Sequence, residues 1–144
     1  MAFKIRLFRQ SDWQHGFREC LNALSPTPEL ERWQVTALTL ARKQRGIKTF
    51  VAVNETRQVI ATSSLLLEPK FIRGGLYTAH IEDVAVHPDF QLKGLGSAMM
   101  KYCIKEAKKG GMVYKIILDC SPEIEPFYEK LGFKKSANQM RLDI

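Results

Sequence analysis

The run from His80 to Gly96, HIEDVAVHPDFQLKGLG, constrains the fold more than any other stretch, because it prescribes a strand, a turn and a helix start in succession. Ile81-Glu82-Asp83-Val84-Ala85-Val86 reads as a buried strand, yet it carries two adjacent carboxylates, which an ordinary core excludes. His87-Pro88-Asp89 ends it. Gln91-Leu92-Lys93-Gly94-Leu95-Gly96 then sets two glycines at the mouth of a helix. There, backbone N–H groups without intrahelical partners and the helix dipole favour an anion. Ionisable groups beside an anion cradle point to an active site next to a phosphorylated cofactor.

The helix after Gly94 is expected to turn Leu95, Ala98, Met99, Tyr102 and Cys103 inward and Lys101, Lys105, Lys108 and Lys109 outward, and to stop at Gly110-Gly111. Tyr114 to Leu118, YKIIL, is a short apolar run suited to a central strand. Strand, helix and strand in this order make a right-handed crossover. The strands of Val84 and Leu118 are therefore expected side by side and parallel, with their C-terminal ends open to a ligand and Asp119 facing that crevice.

Upstream, Phe3 to Arg9 alternates as a strand, and Ser11 or Asp12 can cap a helix carrying Trp13, Phe17, Cys20, Leu21 and Leu24 as far as Ser25-Pro26-Thr27-Pro28. A second helix is expected from Glu29 to Arg45, with Leu30, Trp33, Val35, Leu38 and Ala41 partly on one face. Lys48–Val53 and Gln58–Leu67 pair across Asn54-Glu55-Thr56-Arg57 as a hairpin, and Glu68–Gly75 is a connecting loop. Downstream, Glu123–Leu131 reads as a short helix capped by Gly132, and a last strand is expected around Gln139 to Leu142.

A length of 144 residues fits one domain, 1–144, and no apolar run approaches the ~20 residues of a membrane span. Met1 to Leu7 alternates instead of forming the continuous apolar core of a signal peptide, so a cytoplasmic location is expected. Cys20, Cys103 and Cys120 are odd in number, without CxxC spacing or a histidine pair nearby, so neither a disulfide framework nor a metal site is expected. A net charge of +7 is compatible with nucleic acid, but the basic residues are scattered without an aromatic-basic stripe; a phosphorylated small molecule would be drawn by the same field. His80 and His87 read as structural or solvated, and His15 has no recruitable neighbour.

Two motifs at a suitable separation, Gln91-Leu92-Lys93-Gly94-Leu95-Gly96 after a strand and Phe127-Tyr128-Glu129-Lys130-Leu131-Gly132-Phe133 near the end, resemble the GNAT acetyltransferase superfamily. Within it, HIEDVAV, YKIILDC and FYEKLGF are similar to the glucosamine 6-phosphate N-acetyltransferases, over roughly Lys70 to Phe133. The resemblance implies an α/β (α+β) fold: a mixed, mostly antiparallel sheet with a central parallel, splayed strand pair, flanked by about four helices. It also implies acetyl-CoA as cofactor and direct transfer of the acetyl group to an amino sugar phosphate in a ternary complex. Rival readings are a GNAT enzyme acting on another small amine or a peptide N-terminus, and a nucleic-acid-binding module.

By the same resemblance, the amides of Leu92, Lys93, Gly94, Leu95, Gly96 and Ser97 hold the CoA pyrophosphate, and Gln91 is a further cofactor-binding residue. Val84, Ala85 and Val86 meet the pantetheine arm, and Tyr128 and Lys130 also contact the cofactor. Tyr128 is the general acid; Glu82, Asp83 and Asp119 bind the sugar and its amine. Ser25, Lys70 and Arg73 fall where substrate is contacted, and Lys115 and Arg141 are candidates to reach the phosphate across a homodimer that shares its active sites. Asp143 stands where relatives carry a basic residue, so Arg141 serves only if a two-residue offset keeps it on the same face. Ile124 replaces an asparagine that in relatives touches CoA. Cys120 alternates away from Asp119, which argues against a covalent intermediate.

Overall fold

The computed structural model describes residues 1–144. In chain order it contains β1 (Phe3–Leu7), a 3-10 turn (Gln10–Gln14), α1 (Phe17–Leu24), α2 (Arg32–Gln44), β2 (Ile47–Asn54), β3 (Val59–Pro69), β4 (Tyr77–Val86), α3 (Leu95–Lys108), β5 (Val113–Ile117) and α4 (Glu125–Glu129). Short 3-10 turns precede β4, α3 and α4. The five strands lie in the order β1-β2-β3-β4-β5; only β4 and β5 are parallel. This is the mixed, mostly antiparallel sheet that the motifs imply.

Strand β3 lies in the middle and is covered on both sides, which its nearly unbroken apolar start, Val59-Ile60-Ala61, anticipates. On one face Phe50, Ile60, Ala79 and Ile81 pack under Leu95, Met99, Cys103 and Ala107 of α3 and Tyr128 of α4. On the other, Val51, Val59 and Ala85 meet Trp13, Phe17, Cys20 and Val35. The hairpin forms as read: Asn54 Oδ1 accepts the N–H groups of Thr56 and Gln58, and Arg57 takes the left-handed conformation that closes the turn.

Four expectations are corrected. The first helix does not run on from Ser11. The 3-10 turn ends before Gly16, and Asp12 is buried, accepting both guanidinium nitrogens of Arg6 at 2.8 Å and the Arg9 N–H at 2.7 Å. Helix α2 begins at Arg32 and buries Val35 alone, while Trp33 and Leu38 face outward. Its end is tied to the sheet by Arg42, which donates to Ser64 Oγ at 2.6 Å and Thr49 Oγ1 at 3.2 Å. Helical periodicity states which residues share a face, not what covers it. Strand β5 is an edge, not a central strand. The strand expected around Gln139 to Leu142 is absent, because a strand needs a partner for its backbone groups and none lies beside this segment.

Candidate active site

The parallel pair meets only over Tyr77–His80 and Val113–Ile117, with His80 opposite Ile117 as the last partners. Beyond that point β4 continues to Val86 while β5 has ended, so the strands part and one edge of Glu82 to Val86 is left unpaired. On its other edge, β4 changes register against β3. Thr62 pairs with Ala85 and Ser64 with Glu82, so Asp83 and Val84 oppose Ser63 alone. Asp83 carries this bulge at φ 51°, a left-handed conformation that costs a non-glycine residue free energy and concentrates at functional positions. The bulge is why two consecutive carboxylates, Glu82 and Asp83, are both exposed on a strand whose alternation would bury one.

At the mouth of the opening, Leu92 and Gly94 both have positive φ, and Gly94 caps α3. None of the N–H groups from Leu92 to Ser97 donates to another backbone group, which leaves a row of donors at the positive end of a fourteen-residue helix. Gly96 packs closely under Phe127: a Cβ there would lie 3.4 Å from Phe127 Cζ. Lys93 sits 5.2 Å from the Phe90 ring centroid, and the Gln91 side chain reaches back to the Val86 carbonyl at 3.4 Å. These residues fit a pyrophosphate, and the free edge of Val84-Ala85-Val86 fits an extended arm that adds to the sheet.

Tyr128, 8% exposed, closes the crevice from α4 between Phe127 and Phe133. Burial first, then the neighbouring Cys120 and Asp119, push its phenol above the ordinary tyrosine range. The Glu82 carboxyl is likewise raised, by partial desolvation of its carboxyl end and then by Asp119 and Asp83, with His80 opposing. Asp119 therefore lies within electrostatic reach of both Glu82 and Tyr128, and Asp83 within reach of Glu82. Cys120 belongs to the same cluster. Since β5 ends at Ile117, strand alternation cannot turn Cys120 away from Asp119 as expected. Burial and the Glu125 and Asp119 charges nevertheless raise its thiol, the opposite of nucleophile activation. Cys103, pushed up to about 11 by burial, is inert in the core.

The predicted cations separate into groups. Arg73 and Lys115 each lie 5.4 Å from the Tyr114 ring centroid, and the Tyr114 phenol is held below its usual range by Thr78 first, then by Lys115 and Arg73. Lys70 is paired with Glu68 at 2.5 Å, and Glu68 also meets His80 Nε2 at 2.7 Å. Sequence reasoning missed Tyr114, Glu68 and the part of His80; the β3–β4 register, which sets Glu68 opposite Thr78 and Leu66 opposite His80, brings the last two together. His87 is a structural residue, buried, with Nδ1 accepting the Asp89 N–H. Ser25 stands exposed at the end of α1. Ile124 is exposed in the turn before α4. Arg141 lies in the C-terminal segment, bound to Asp143 at 2.6 Å, and is not brought into the crevice of its own chain.

The model of the acetyltransferase (GNAT) family matches residues 10–133. A glucosamine 6-phosphate N-acetyltransferase of Trypanosoma brucei brucei is 39% identical over 143 residues, spanning 98% of this chain and 95% of that protein. The crystal structure of glucosamine-6-phosphate N-acetyltransferase from Arabidopsis thaliana superposes with a TM-score of 0.93 at 34% identity, covering 99% of both chains. A Trypanosoma brucei acetyltransferase structure gives the same TM-score at 36% identity, over 99% of this chain and all of that one.

Proposed function

Because the chain belongs to the acetyltransferase (GNAT) family, we propose that it transfers the acetyl group of acetyl-CoA to the amine of glucosamine 6-phosphate, giving N-acetylglucosamine 6-phosphate, with residues 1–144 acting as one domain. The observation that carries this reading is the parting of β4 from β5 beside the row of free amides from Leu92 to Ser97, with Asp119 in electrostatic reach of both Glu82 and Tyr128. Acetyl-CoA supplies an activated thioester. The carboxylates hold the amino sugar and orient its nitrogen. Glu82, directly or through water, takes the proton that the ammonium gives up before its nitrogen attacks the thioester carbon. The proton lost as the C–N bond forms and the C–S bond breaks passes to solvent, and the unpaired edge at Val84 offers a backbone donor for developing negative charge. Tyr128 keeps its proton at neutral pH and can deliver it to the departing thiolate. Direct transfer in a ternary complex fits, since Cys120 is held as a thiol.

The test is turnover of a panel of amines with acetyl-CoA. Glucosamine 6-phosphate is expected as the preferred acceptor, and no turnover of it would sink this reading in favour of another small amine or a peptide N-terminus.

The active unit is a homodimer in the cytoplasm, with the C-terminal segment of one subunit completing the site of the other. The outward Met140 and Leu142 and the unpaired outer edge of β5 support this. Arg141→Ala is expected to raise KM for the sugar phosphate at least about tenfold, the loss of about one charge-assisted hydrogen bond. An unchanged KM would place the phosphate elsewhere, with Arg73 and Lys115 beside Tyr114 as the remaining cations.

Glu82 must be ionised to bind the substrate ammonium, so kcat/KM should fall as pH drops through a midpoint above the ordinary glutamate value of about 4.3. Removing a neighbouring negative charge favours the carboxylate, so Asp119→Asn should move that acid limb to lower pH while reducing the rate. A limb that stays in place or moves upward would remove Glu82 from this role.

A further inference from the structure

Strand β3 opens with a continuous buried stretch, Val59 to Leu65, that is interrupted by three hydroxyl side chains in a row, Thr62-Ser63-Ser64. Their exposures are 1%, 0% and 4%. Burying a hydroxyl costs free energy unless it is bonded, so an apolar strand carries such a run only for a reason. Its place in the sheet supplies one. Thr62 pairs with Ala85 and Ser64 with Glu82, so these three residues are the ones that face the bulged stretch Glu82–Ala85 of β4. Toward β2 the same three keep an unbroken register, opposite Val51, Phe50 and Thr49. Each hydroxyl is tied to a neighbouring element. Thr62 Oγ1 donates to the Phe50 carbonyl of β2 at 2.9 Å. Ser63 Oγ meets Cys103 Sγ of α3 at 2.9 Å, and Ser64 Oγ accepts from Arg42 Nη2 of α2 at 2.6 Å. Successive side chains of a strand point to opposite faces, so Ser63 and Ser64 are held from both sides of the sheet. A left-handed non-glycine residue such as Asp83 persists only where its surroundings over-determine it, and β3 is fixed most firmly opposite that residue.

We propose that Thr62, Ser63 and Ser64 are positioning residues: clamped by Phe50, Cys103 and Arg42, they hold β3 in the one register that keeps the bulge of β4 in place. The bulge in turn presents Glu82 and Asp83 to the acceptor amine and leaves the edge at Val84 free. The clamp acts through backbone geometry and touches neither cofactor nor acceptor. Ser64 and Arg42 are its most direct members, because Ser64 stands opposite Glu82. The acceptor named here rests on the acetyltransferase reading; the role of β3 and α2 lies outside both sequence motifs.

Comparing Ser64→Val with Ser64→Thr in the full chain tests it, since the two new side chains are alike in shape, suit a strand and differ in the hydroxyl. Ser64→Val should lose about tenfold in kcat/KM for glucosamine 6-phosphate, less than the roughly hundredfold that a misplacement of ~1 Å can cost. Its affinity for acetyl-CoA, measured by calorimetry, should stay within about twofold of wild type, because the amides of Leu92 to Ser97 are untouched. Ser64→Thr should recover kcat/KM to within about twofold. Arg42→Met should reproduce the loss, and combining it with Ser64→Val should cost little more, because both remove the same bond. Amide hydrogen exchange over Glu82–Val84 should quicken in Ser64→Val and Arg42→Met and not in Ser64→Thr. Wild-type kinetics and exchange in Ser64→Val overturn the proposal, as does Ser64→Thr being equally impaired. An equal fall in acetyl-CoA affinity also overturns it, by making the run a general support of the fold. Should Ser64→Val not fold, Arg42→Met against wild type decides by the same measurements. If exchange behaves as stated but the wild type does not acetylate glucosamine 6-phosphate, only the acceptor reading fails; if wild type and Ser64→Val acetylate it equally, only the clamp does.

Discussion

Replacing Tyr128 with phenylalanine is expected to lower kcat at least about tenfold and to leave acetyl-CoA affinity nearly unchanged. The change removes one oxygen and keeps the ring that packs edge-on against Phe127 at 4.9 Å and Phe133 at 6.0 Å. Stability should therefore hold, which separates a chemical loss from a folding one. The direction follows from the charge environment. Burial, Cys120 and Asp119 all disfavour the phenolate, so at neutral pH the side chain is a proton donor and not a base. A thiol near 8.5 leaves more readily as it is protonated, and a phenol near or above 10 re-equilibrates with solvent afterwards. Single-turnover kinetics should show the loss in the transfer step. An unaltered kcat would remove Tyr128 from the acid role and leave it as a core aromatic.

Gly16→Ala should cost about 3 kcal/mol and lower Tm by about 10 °C, without altering the active-site residues. Gly16 is buried at φ +100°, where the chain turns from the 3-10 segment into α1. An added Cβ would stand 2.3 Å from the Val59 carbonyl oxygen and 3.2 Å from its nitrogen. Neither can retreat freely. The Val59 N–H donates to the His15 carbonyl at 2.7 Å, and the same residue opens the central strand, fully buried in the layer with Trp13, Phe17 and Cys20. Thermal unfolding followed by circular dichroism measures this; a Tm within about 2 °C of wild type would show that the junction of α1 and β3 relaxes at little cost.

The features legible in the sequence were those whose physics is local. The β2–β3 hairpin is closed by Asn54 acting on its own next few residues, and the start of α3 is marked by Gly94 and by amides that no helix of any sequence can satisfy internally. The two motifs therefore marked the free amides at the start of α3 and the buried Tyr128 of α4, and the crossover between them anticipated that β4 and β5 run parallel. Gly16 was a different case: a helix pattern tolerates an isolated glycine, and only contact with Val59, distant in the chain, makes the break obligatory.

Other features depended on which segments meet. The Asp83 bulge needs β3 to supply one residue against two, and the parting of β4 from β5 needs β5 to stop at Ile117. Trp33 and Leu38 lie on a regular helical pattern that the core does not use, because Arg42 ties α2 to Thr49 and Ser64 instead. Arg73 and Lys115, forty-two positions apart, converge on Tyr114, and the C-terminal segment finds no strand partner in its own chain. Turns, caps and periodicity arise from interactions within a few residues, so the order of residues specifies them. Pairing, coverage and convergence are set by contacts between segments far apart in the chain, and those exist only once it has folded.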